Sequence, residues 1–152
     1  MVSRVIPVDP FDLVIFGGTG DLARRKILPG LYRRFIAGQI PEGSRIIGAA
    51  RAAMDDKAFR SHVCDAITEF VASAKRNDET VRNFLDIVHY VAIDAKGDDG
   101  WADLASLMRS DVIQAYYFSV APSLFGDIAE RLHRFAIASP EARIVVEKPF
   151  GR

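Results

Sequence analysis

The sequence is poor in side chains that bind metals or form disulfides. Its 152 residues include a single cysteine, Cys64, and three histidines that lie in unrelated segments. One cysteine can form neither an internal disulfide nor a cysteine-based zinc site, so we predict no metal centre. This cysteine usage is typical of a reducing compartment and favours a cytoplasmic location.

Long apolar stretches are also absent. No run approaches the roughly 18 residues needed to cross a bilayer, and residues 1–11 lack the apolar stretch of a signal peptide. We therefore expect no membrane partner. Neither sign of charge is in excess, because 20 Lys and Arg residues balance 20 Asp and Glu residues. A neutral chain has no overall field that attracts nucleic acid, so any bound anion must be held by a local site.

What is present is an ordinary globular composition. Hydrophobic residues make up 49% of the chain and charged residues 26%, which excludes the disordered and fibrous classes. The length suits one domain with one core. We interpret residues 1–152 as a single domain.

Short apolar runs alternate with segments of helical spacing along the chain. The apolar runs predict strands at residues 13–16, 45–49, 87–93, 112–120 and 142–146. The intervening periodicity predicts helices at residues 21–38, 54–75, 81–85, 101–108 and 123–135, with an irregularity at Pro29. Strands that are apolar throughout are typical of a parallel sheet covered on both faces. The expected fold is a doubly wound, Rossmann-type α/β domain with three αβα layers.

A cluster of glycines follows the first predicted strand and opens the first predicted helix. Residues 18–23, Gly-Thr-Gly-Asp-Leu-Ala, match the dinucleotide-binding pattern with alanine in the last place. Glycines allow a tight turn and close approach to a diphosphate, while the helix N-terminus attracts its negative charge. The alternative is a tight turn without a ligand. A Walker-type phosphate loop is disfavoured because no Gly-Lys-Ser/Thr follows.

The end of the second predicted strand bears on the choice of nucleotide. An acidic residue there would bind a ribose 2′-hydroxyl, whereas an arginine would pair with a 2′-phosphate. This strand ends in Gly48-Ala49-Ala50-Arg51, and no acidic residue follows before Asp55. The sequence therefore favours NADP over NAD, with Arg51 as the ligand of the 2′-phosphate. The alternative is that Arg51 is only a solvated surface charge.

Several segments together resemble one enzyme family. They are residues 17–32 (GGTGDLARRKILPGLY), Arg51, residues 117–122 (YFSVAP) and residues 147–152 (EKPFGR). In order and spacing they are similar to the amino-terminal domain of the glucose-6-phosphate dehydrogenases. The resemblance extends from the first predicted strand to the last residue, and it implies an NADP-binding Rossmann domain.

The resemblance implies a set of cofactor-binding residues. Residues of the glycine turn would wrap the diphosphate: Gly17, Gly18, Thr19, Gly20, Asp21, Leu22, Ala23 and Arg24. Residues after the third, fourth and fifth predicted strands would line the cofactor cleft: Asp94, Ala95, Ala121, Pro122, Glu147 and Lys148. Arg51 would hold the 2′-phosphate. This placement agrees with the rule that ligands bind at the carboxyl ends of parallel strands.

The resemblance also implies that two lysines face the substrate. Lys26 would project toward the nicotinamide and substrate region, and Lys148 would touch both the cofactor and the sugar phosphate. The peptide bond before Pro149 is expected to be cis. The chain departs from the family at residues 120–122, where Val-Ala-Pro stands in place of the common Leu-Pro-Pro.

The same resemblance implies an activity that this chain cannot complete. The family oxidises glucose 6-phosphate to 6-phosphogluconolactone and transfers hydride to NADP in the oxidative pentose phosphate pathway. Its general base is a histidine, oriented by an aspartate, in a second α+β domain, and these 152 residues contain no such domain. We expect a fragment that binds NADP without catalysing, and a homodimer or larger assembly at full length.

Three other interpretations share the dinucleotide turn. A standalone NADP-sensing regulatory domain would carry the same glycines and arginine and would be complete near residue 152. A dehydrogenase of the glucose-fructose-oxidoreductase type also contains Glu-Lys-Pro, but Gly-Asp-Leu-Ala followed by Lys26 argues against it. A short-chain reductase would need Tyr-x-x-x-Lys, and no tyrosine of this chain is followed by lysine at that spacing.

Overall fold

Five parallel strands form one sheet in a computed structural model that describes residues 9–139 and 142–146. The strands are β1 (Phe11–Phe16), β2 (Arg45–Ala50), β3 (Val88–Ala92), β4 (Ile113–Phe118) and β5 (Arg143–Val146). Their spatial order is β3-β2-β1-β4-β5, with every neighbouring pair parallel. The chain therefore winds outward from β1 in one direction and from β4 in the other, and the predicted doubly wound fold is confirmed.

Helices cover the sheet in two layers. They are α1 (Leu28–Ile36), α2 (Asp56–Phe70), α3 (Asp78–Leu85), α4 (Trp101–Leu107) and α5 (Phe125–Arg134). Side chains of α1, α2 and α3 pack on one face of the sheet around Ile15 and Ile46. Side chains of α4 and α5 pack on the other face around Val14 and Phe16. Because neighbouring residues of a strand point to opposite faces, these two clusters confirm the three-layer arrangement.

The irregularity predicted at Pro29 takes the form of a π-helical turn. Residues Ala23–Ile27 form this turn directly before α1, and the Leu28 N–H donates to the carbonyl of Ala23, five residues earlier. Proline has no N–H to donate, and its ring crowds the carbonyl four residues before it. A wider turn just ahead of Pro29 accommodates both effects.

The second helix is shorter than the periodicity predicted. It ends at Phe70 instead of residue 75, and Val71 has extended backbone and is only 3% exposed. Three residues, Ser73–Lys75, then form a 3-10 turn. The next helix begins at Asp78 instead of residue 81, because the Asn77 side chain accepts a hydrogen bond from the Thr80 N–H at 2.9 Å in a capping box.

The strand β5 departs from the expectation that both faces of the sheet are covered. Ile144 and Val145 are 53% and 43% exposed, whereas Val14 and Ile15 at the centre of the sheet are fully buried. Ile144 pairs with Tyr116 of β4 and Val145 with Tyr117, so their side chains face opposite layers of the sheet. Within the described residues, both faces of β5 are therefore partly exposed.

A buried ion-pair cluster connects β1, β2 and the segment before β4 at the amino-terminal edge of the sheet. Asp12 in β1 is fully buried, and the guanidinium of Arg45 in β2 donates to both of its oxygens at 3.0 Å. Arg109, ahead of β4, donates to Asp12 from its side chain at 2.6 Å and its backbone N–H at 3.2 Å. Burial alone would raise the pKa of Asp12, yet these hydrogen bonds hold it below its ordinary value.

Candidate functional site

The glycine turn lies at the carboxyl-terminal edge of the sheet and is fastened to β2. The N–H groups of Gly17 and Gly18 both donate to the carbonyl of Ala49, at 2.8 and 3.3 Å. The Gly20 N–H donates to the carbonyl of Gly17 at 2.9 Å and closes the turn. The turn is therefore held by backbone hydrogen bonds alone, and its conformation depends on glycine.

Two of these glycines are required by close packing. Gly17 has a φ of +85°, and a Cβ there would lie 2.1 Å from the carbonyl oxygen of Ser119, which follows β4. A Cβ on Gly18 would lie 3.0 Å from the Cα of Gly48 in β2. The turn thus lies against the ends of both strands that flank β1, at the point where the winding direction reverses. Open α/β sheets bind their ligands at this point.

The turn also presents donors without acceptors. The backbone N–H groups of Thr19, Asp21 and Leu22 form no hydrogen bond within the described residues. Helical conformation begins at Asp21, so these N–H groups belong to the positive end of a helix. Unpaired N–H donors lie at a helix N-terminus, beside glycines whose missing Cβ leaves room for close approach. Both features fit the diphosphate of a dinucleotide.

Arg51 follows β2 directly and has an exposed side chain. Within residues 9–139 and 142–146 its guanidinium forms no ion pair and no hydrogen bond. The end of β2 pairs with the glycine turn through Ala49, so Arg51 lies at the same edge of the sheet as the unpaired N–H groups. The structure places these two predicted features together.

Other charged residues of the turn already have partners. Arg24 pairs with Glu69 of α2, and its guanidinium lies 5.1 Å from the centre of the Phe70 ring. Asp21 accepts a hydrogen bond from Arg25 at 2.9 Å. Binding of the diphosphate by the Arg24 side chain would therefore require it to leave Glu69, and its role stays a prediction.

The loop after β3 carries Asp94 and Ala95 to the same edge, as predicted, but Asp94 also organises the loop. Its carboxylate accepts from the Lys96 N–H at 3.0 Å, and its carbonyl accepts from the Trp101 indole at 2.9 Å. Ala95 packs against the core cluster on the α4 side of the sheet. The place of these residues in a cofactor cleft stays a prediction.

The remaining predicted residues divide into described and undescribed ones. Ala121 and Pro122 are exposed just after β4, where Pro122 begins a 3-10 turn. Lys26 is exposed and borders a hollow of about 210 Å³ with Leu22, Leu31 and Tyr117. Glu147, Lys148 and Pro149 lie outside the described residues.

Sequence reasoning missed the contacts that fix the backbone around Arg51. Tyr90 of β3 places its hydroxyl 2.6 Å from the Ala52 carbonyl oxygen and 3.1 Å from that of Ala50. Asp56, the first residue of α2, accepts from the Tyr90 N–H at 2.8 Å. Tyr90 lies 40 positions from Ala50 and 38 from Ala52, so no local sequence pattern predicts these contacts.

Neither a cluster of metal ligands nor a membrane-spanning helix is found in the described part of the chain. Within it no group of three or more potential ligands could hold a metal ion, and no helix is long and apolar enough to cross a membrane. His89 has a partner that the sequence did not show, since its Nδ1 lies 3.2 Å from an oxygen of Asp56. This pair lies at the edge strand β3 and fastens α2 to it.

The fold and the carboxyl-edge turn define a dinucleotide-binding domain of the Rossmann class. A family profile described as "Glucose-6-phosphate dehydrogenase, NAD binding domain" matches residues 14–152. The chain therefore belongs to the glucose-6-phosphate dehydrogenase family, as the resemblance of its motifs indicated. The family description confirms the expectation that the cofactor is a nicotinamide dinucleotide.

Individual relatives agree with this assignment. The chain is 46% identical over its whole length to "Glucose-6-phosphate 1-dehydrogenase" of Rhizobium meliloti, and 43% identical over 95% of its length to that of Gluconobacter oxydans. It spans 31% and 30% of these two relatives. These curated relatives are thus about three times as long as the chain.

Solved structures match the fold as well. A glucose-6-phosphate 1-dehydrogenase from Mycobacterium avium superposes with a TM-score of 0.83 at 29% identity, covering 95% of this chain and 31% of that one. A structure described as "Glucose-6-phosphate dehydrogenase in complex with its substrate glucose-6-phosphate" superposes with a TM-score of 0.80 at 25% identity, over 98% of this chain and 32% of that one. Both superpositions extend over nearly the whole of this chain and about a third of the solved one.

Proposed function

We propose that this chain binds NADP, with the glycine turn holding the diphosphate and Arg51 holding the 2′-phosphate. The observation that carries the proposal is the Arg51 guanidinium at the end of β2, which has no partner among the described residues and lies at the same edge as the unpaired N–H groups of Thr19, Asp21 and Leu22. An arginine binds a phosphate through two parallel N–H donors, which a neutral ribose 2′-hydroxyl cannot match.

The absence of a carboxylate at the end of β2 supports the same choice. Dinucleotide sites that prefer NAD place an acidic residue where it can accept from the ribose 2′-hydroxyl. Here residues 49–54 contain no Asp or Glu, and Asp55 is engaged as the cap of α2, where it accepts from the Ala58 N–H at 2.8 Å. A 2′-phosphate beside Arg51 would therefore meet a cation, and residues 49–54 contribute no carboxylate next to it.

We further propose that the complete polypeptide oxidises glucose 6-phosphate to 6-phosphogluconolactone. When bound, NADP supplies the hydride acceptor for this reaction. The residues of this chain bind and orient the cofactor, with Lys26 toward the nicotinamide and substrate region and Lys148 touching both the cofactor and the sugar phosphate. The reaction also needs a base for the hydroxyl proton of the sugar, and we assign that base to a histidine outside these 152 residues.

Calorimetric titration tests the cofactor proposal. The complete polypeptide that contains this chain is titrated with NADP⁺ and separately with NAD⁺, alongside Arg51→Ala. We expect Arg51→Ala to weaken NADP⁺ binding roughly 10- to 150-fold, the range of a lost charge-assisted contact of about 1.5–3 kcal/mol, and to leave NAD⁺ binding within about twofold. Equal weakening of both nucleotides, or none, would contradict the role given to Arg51.

Arg82→Ala is a matched control for this experiment. Arg82 is also exposed, and its guanidinium forms no hydrogen bond or ion pair among the described residues, but it lies on α3, away from the glycine turn. Its replacement removes the same charge without touching the proposed site. We expect it to leave both affinities unchanged, which separates a local contact from a change in overall charge.

A further inference from the structure

We infer that Tyr90 is a positioning residue that sets the preference for the 2′-phosphate by fixing the backbone on both sides of Arg51. The inference rests on the proposed function, because it gives Tyr90 a role through Arg51. Tyr90 contributes no atom to the turn itself, and its side chain lies on the α2 face of the sheet, within the core cluster there.

The hydroxyl of Tyr90 bridges the two residues that flank Arg51. It shares its hydrogen between the carbonyl of Ala52 at 2.6 Å and that of Ala50 at 3.1 Å. The Ala50 carbonyl also accepts from the Ile93 N–H at 2.8 Å. The Ala50–Arg51 and Ala52–Ala53 peptide units are therefore both held by the Tyr90 hydroxyl, while the Arg51 guanidinium stays free of partners within the described residues.

Tyr90 is itself held from two directions. Its backbone N–H donates to Asp56 at 2.8 Å, which joins β3 to the start of α2 just beyond the Arg51 segment. Its ring packs against the Phe59 ring with centroids 4.9 Å apart. The Phe59 ring in turn lies over Gly48, where a Cβ would come within 2.4 Å of it. A rigid ring with fixed neighbours is suited to hold a loop.

The hydroxyl keeps its hydrogen at neutral pH. Burial raises the pKa of the Tyr90 phenol above its ordinary value, so the group stays a donor. The functional consequence is a smaller loss of conformational entropy in the loop around Arg51 when a phosphate binds. A loop that is already fixed loses little freedom when Arg51 engages a phosphate, whereas a loose loop must be ordered at that moment, which weakens binding. Only a ligand that engages Arg51 is affected.

The test is a double-mutant cycle in the complete polypeptide that contains this chain. NADP⁺ and NAD⁺ dissociation constants are measured calorimetrically for wild type, Tyr90→Phe, Arg51→Ala and the double variant. Tyr90→Phe keeps the ring against Phe59 and removes only the hydroxyl. We expect it to weaken NADP⁺ binding about 3- to 10-fold, to leave NAD⁺ binding within about twofold, and to have no effect on NADP⁺ binding once Arg51 is alanine.

A matched control separates positioning from general stability. Tyr32 is buried on α1, and its hydroxyl lies 2.7 Å from the Thr80 hydroxyl, away from Arg51. Tyr32→Phe also removes the hydroxyl of a buried tyrosine and is expected to leave the ratio of the two dissociation constants unchanged. If Tyr90→Phe weakens both nucleotides equally, or acts with the same size in the Arg51→Ala background, its role is structural and the inference is overturned.

The outcomes also separate this inference from the proposed function. If Arg51→Ala abolishes the preference for NADP⁺ and Tyr90→Phe leaves that preference intact, the proposed function stands and Tyr90 has no positioning role. If Arg51→Ala leaves the preference intact, Arg51 is not the 2′-phosphate ligand and both conclusions fall.

Discussion

The two edges of the sheet use arginine in opposite ways. At the amino-terminal edge, Arg45 and Arg109 converge on the buried Asp12, and their hydrogen bonds join β1, β2 and the segment before β4. At the carboxyl-terminal edge, Arg51 is exposed and has no partner within the described part of the chain. The first arrangement stabilises the sheet, and the second leaves a cation available to a ligand.

The contrast teaches how one sheet separates stability from binding. A buried acid with two guanidinium partners is costly to break, because removal of one partner leaves an uncompensated charge inside the protein. An exposed cation without a partner contributes little to folding and is free to meet an anion. Charges that belong to the fold and charges that belong to the site are thus found at opposite ends of the same strands.

The largest effect is expected from breaking the amino-edge cluster. Asp12→Ala leaves Arg45 and Arg109 without their shared carboxylate, which is expected to lower the free energy of unfolding by about 3–5 kcal/mol. Urea denaturation followed by circular dichroism measures it. Arg51→Ala serves as the comparison and should change the free energy by less than about 0.5 kcal/mol. Equal decreases in the free energy of unfolding of the two variants would contradict the different roles given to the two edges.

A smaller effect is expected from Gly17→Ala at the carboxyl edge. Gly17 has a positive φ, and a Cβ there collides with the Ser119 carbonyl. Gly38 also has a positive φ, of +75°, but has open space around it, so Gly38→Ala reports the backbone cost alone, about 1–2 kcal/mol. We expect Gly17→Ala to exceed this cost in thermal denaturation and to abolish binding of both nucleotides. A Gly17→Ala variant that binds normally would show that the turn tolerates displacement.

The smallest effect is expected in the dependence of stability on pH. The pKa of Asp12 is lowered in the folded protein, so its contribution is complete above the unfolded value of about 3.9 and is lost as pH falls below that value. Asp12→Asn removes this dependence. We expect the difference in unfolding free energy between wild type and Asp12→Asn to shrink between pH 6 and pH 3.

Other carboxyl groups do not contribute to the difference in unfolding free energy between wild type and Asp12→Asn. Hydrogen bonds from Arg134 lower the pKa values of the exposed Asp98 and Glu130, which titrate in both proteins and cancel in the difference. A difference that stays constant across the acid range would mean that Asp12 titrates at its ordinary value, and that its ion pairs add nothing to the stability of the sheet.

The local features of the site were predictable from sequence. The turn at residues 17–20 and the arginine after β2 are recognised from residues within a few positions of one another, and the structure places both at one edge. Helix ends were less predictable. The periodicity of α2 continues past Phe70, but burial of Val71 in extended conformation ends the helix, and burial depends on packing partners elsewhere in the chain.

The sequence by itself determined the class of fold, the glycine turn after β1 and the arginine after β2, because periodicity and turn chemistry are properties of neighbouring residues. Only the tertiary structure decided which charges are paired. Asp12 meets Arg45 across 33 positions and Arg109 across 97, and Tyr90 meets Ala52 across 38. Contacts of that range depend on how the strands order themselves in the sheet. That order leaves Arg51 without a partner among the described residues, while the Tyr90 hydroxyl holds the carbonyls of Ala50 and Ala52 on either side of it.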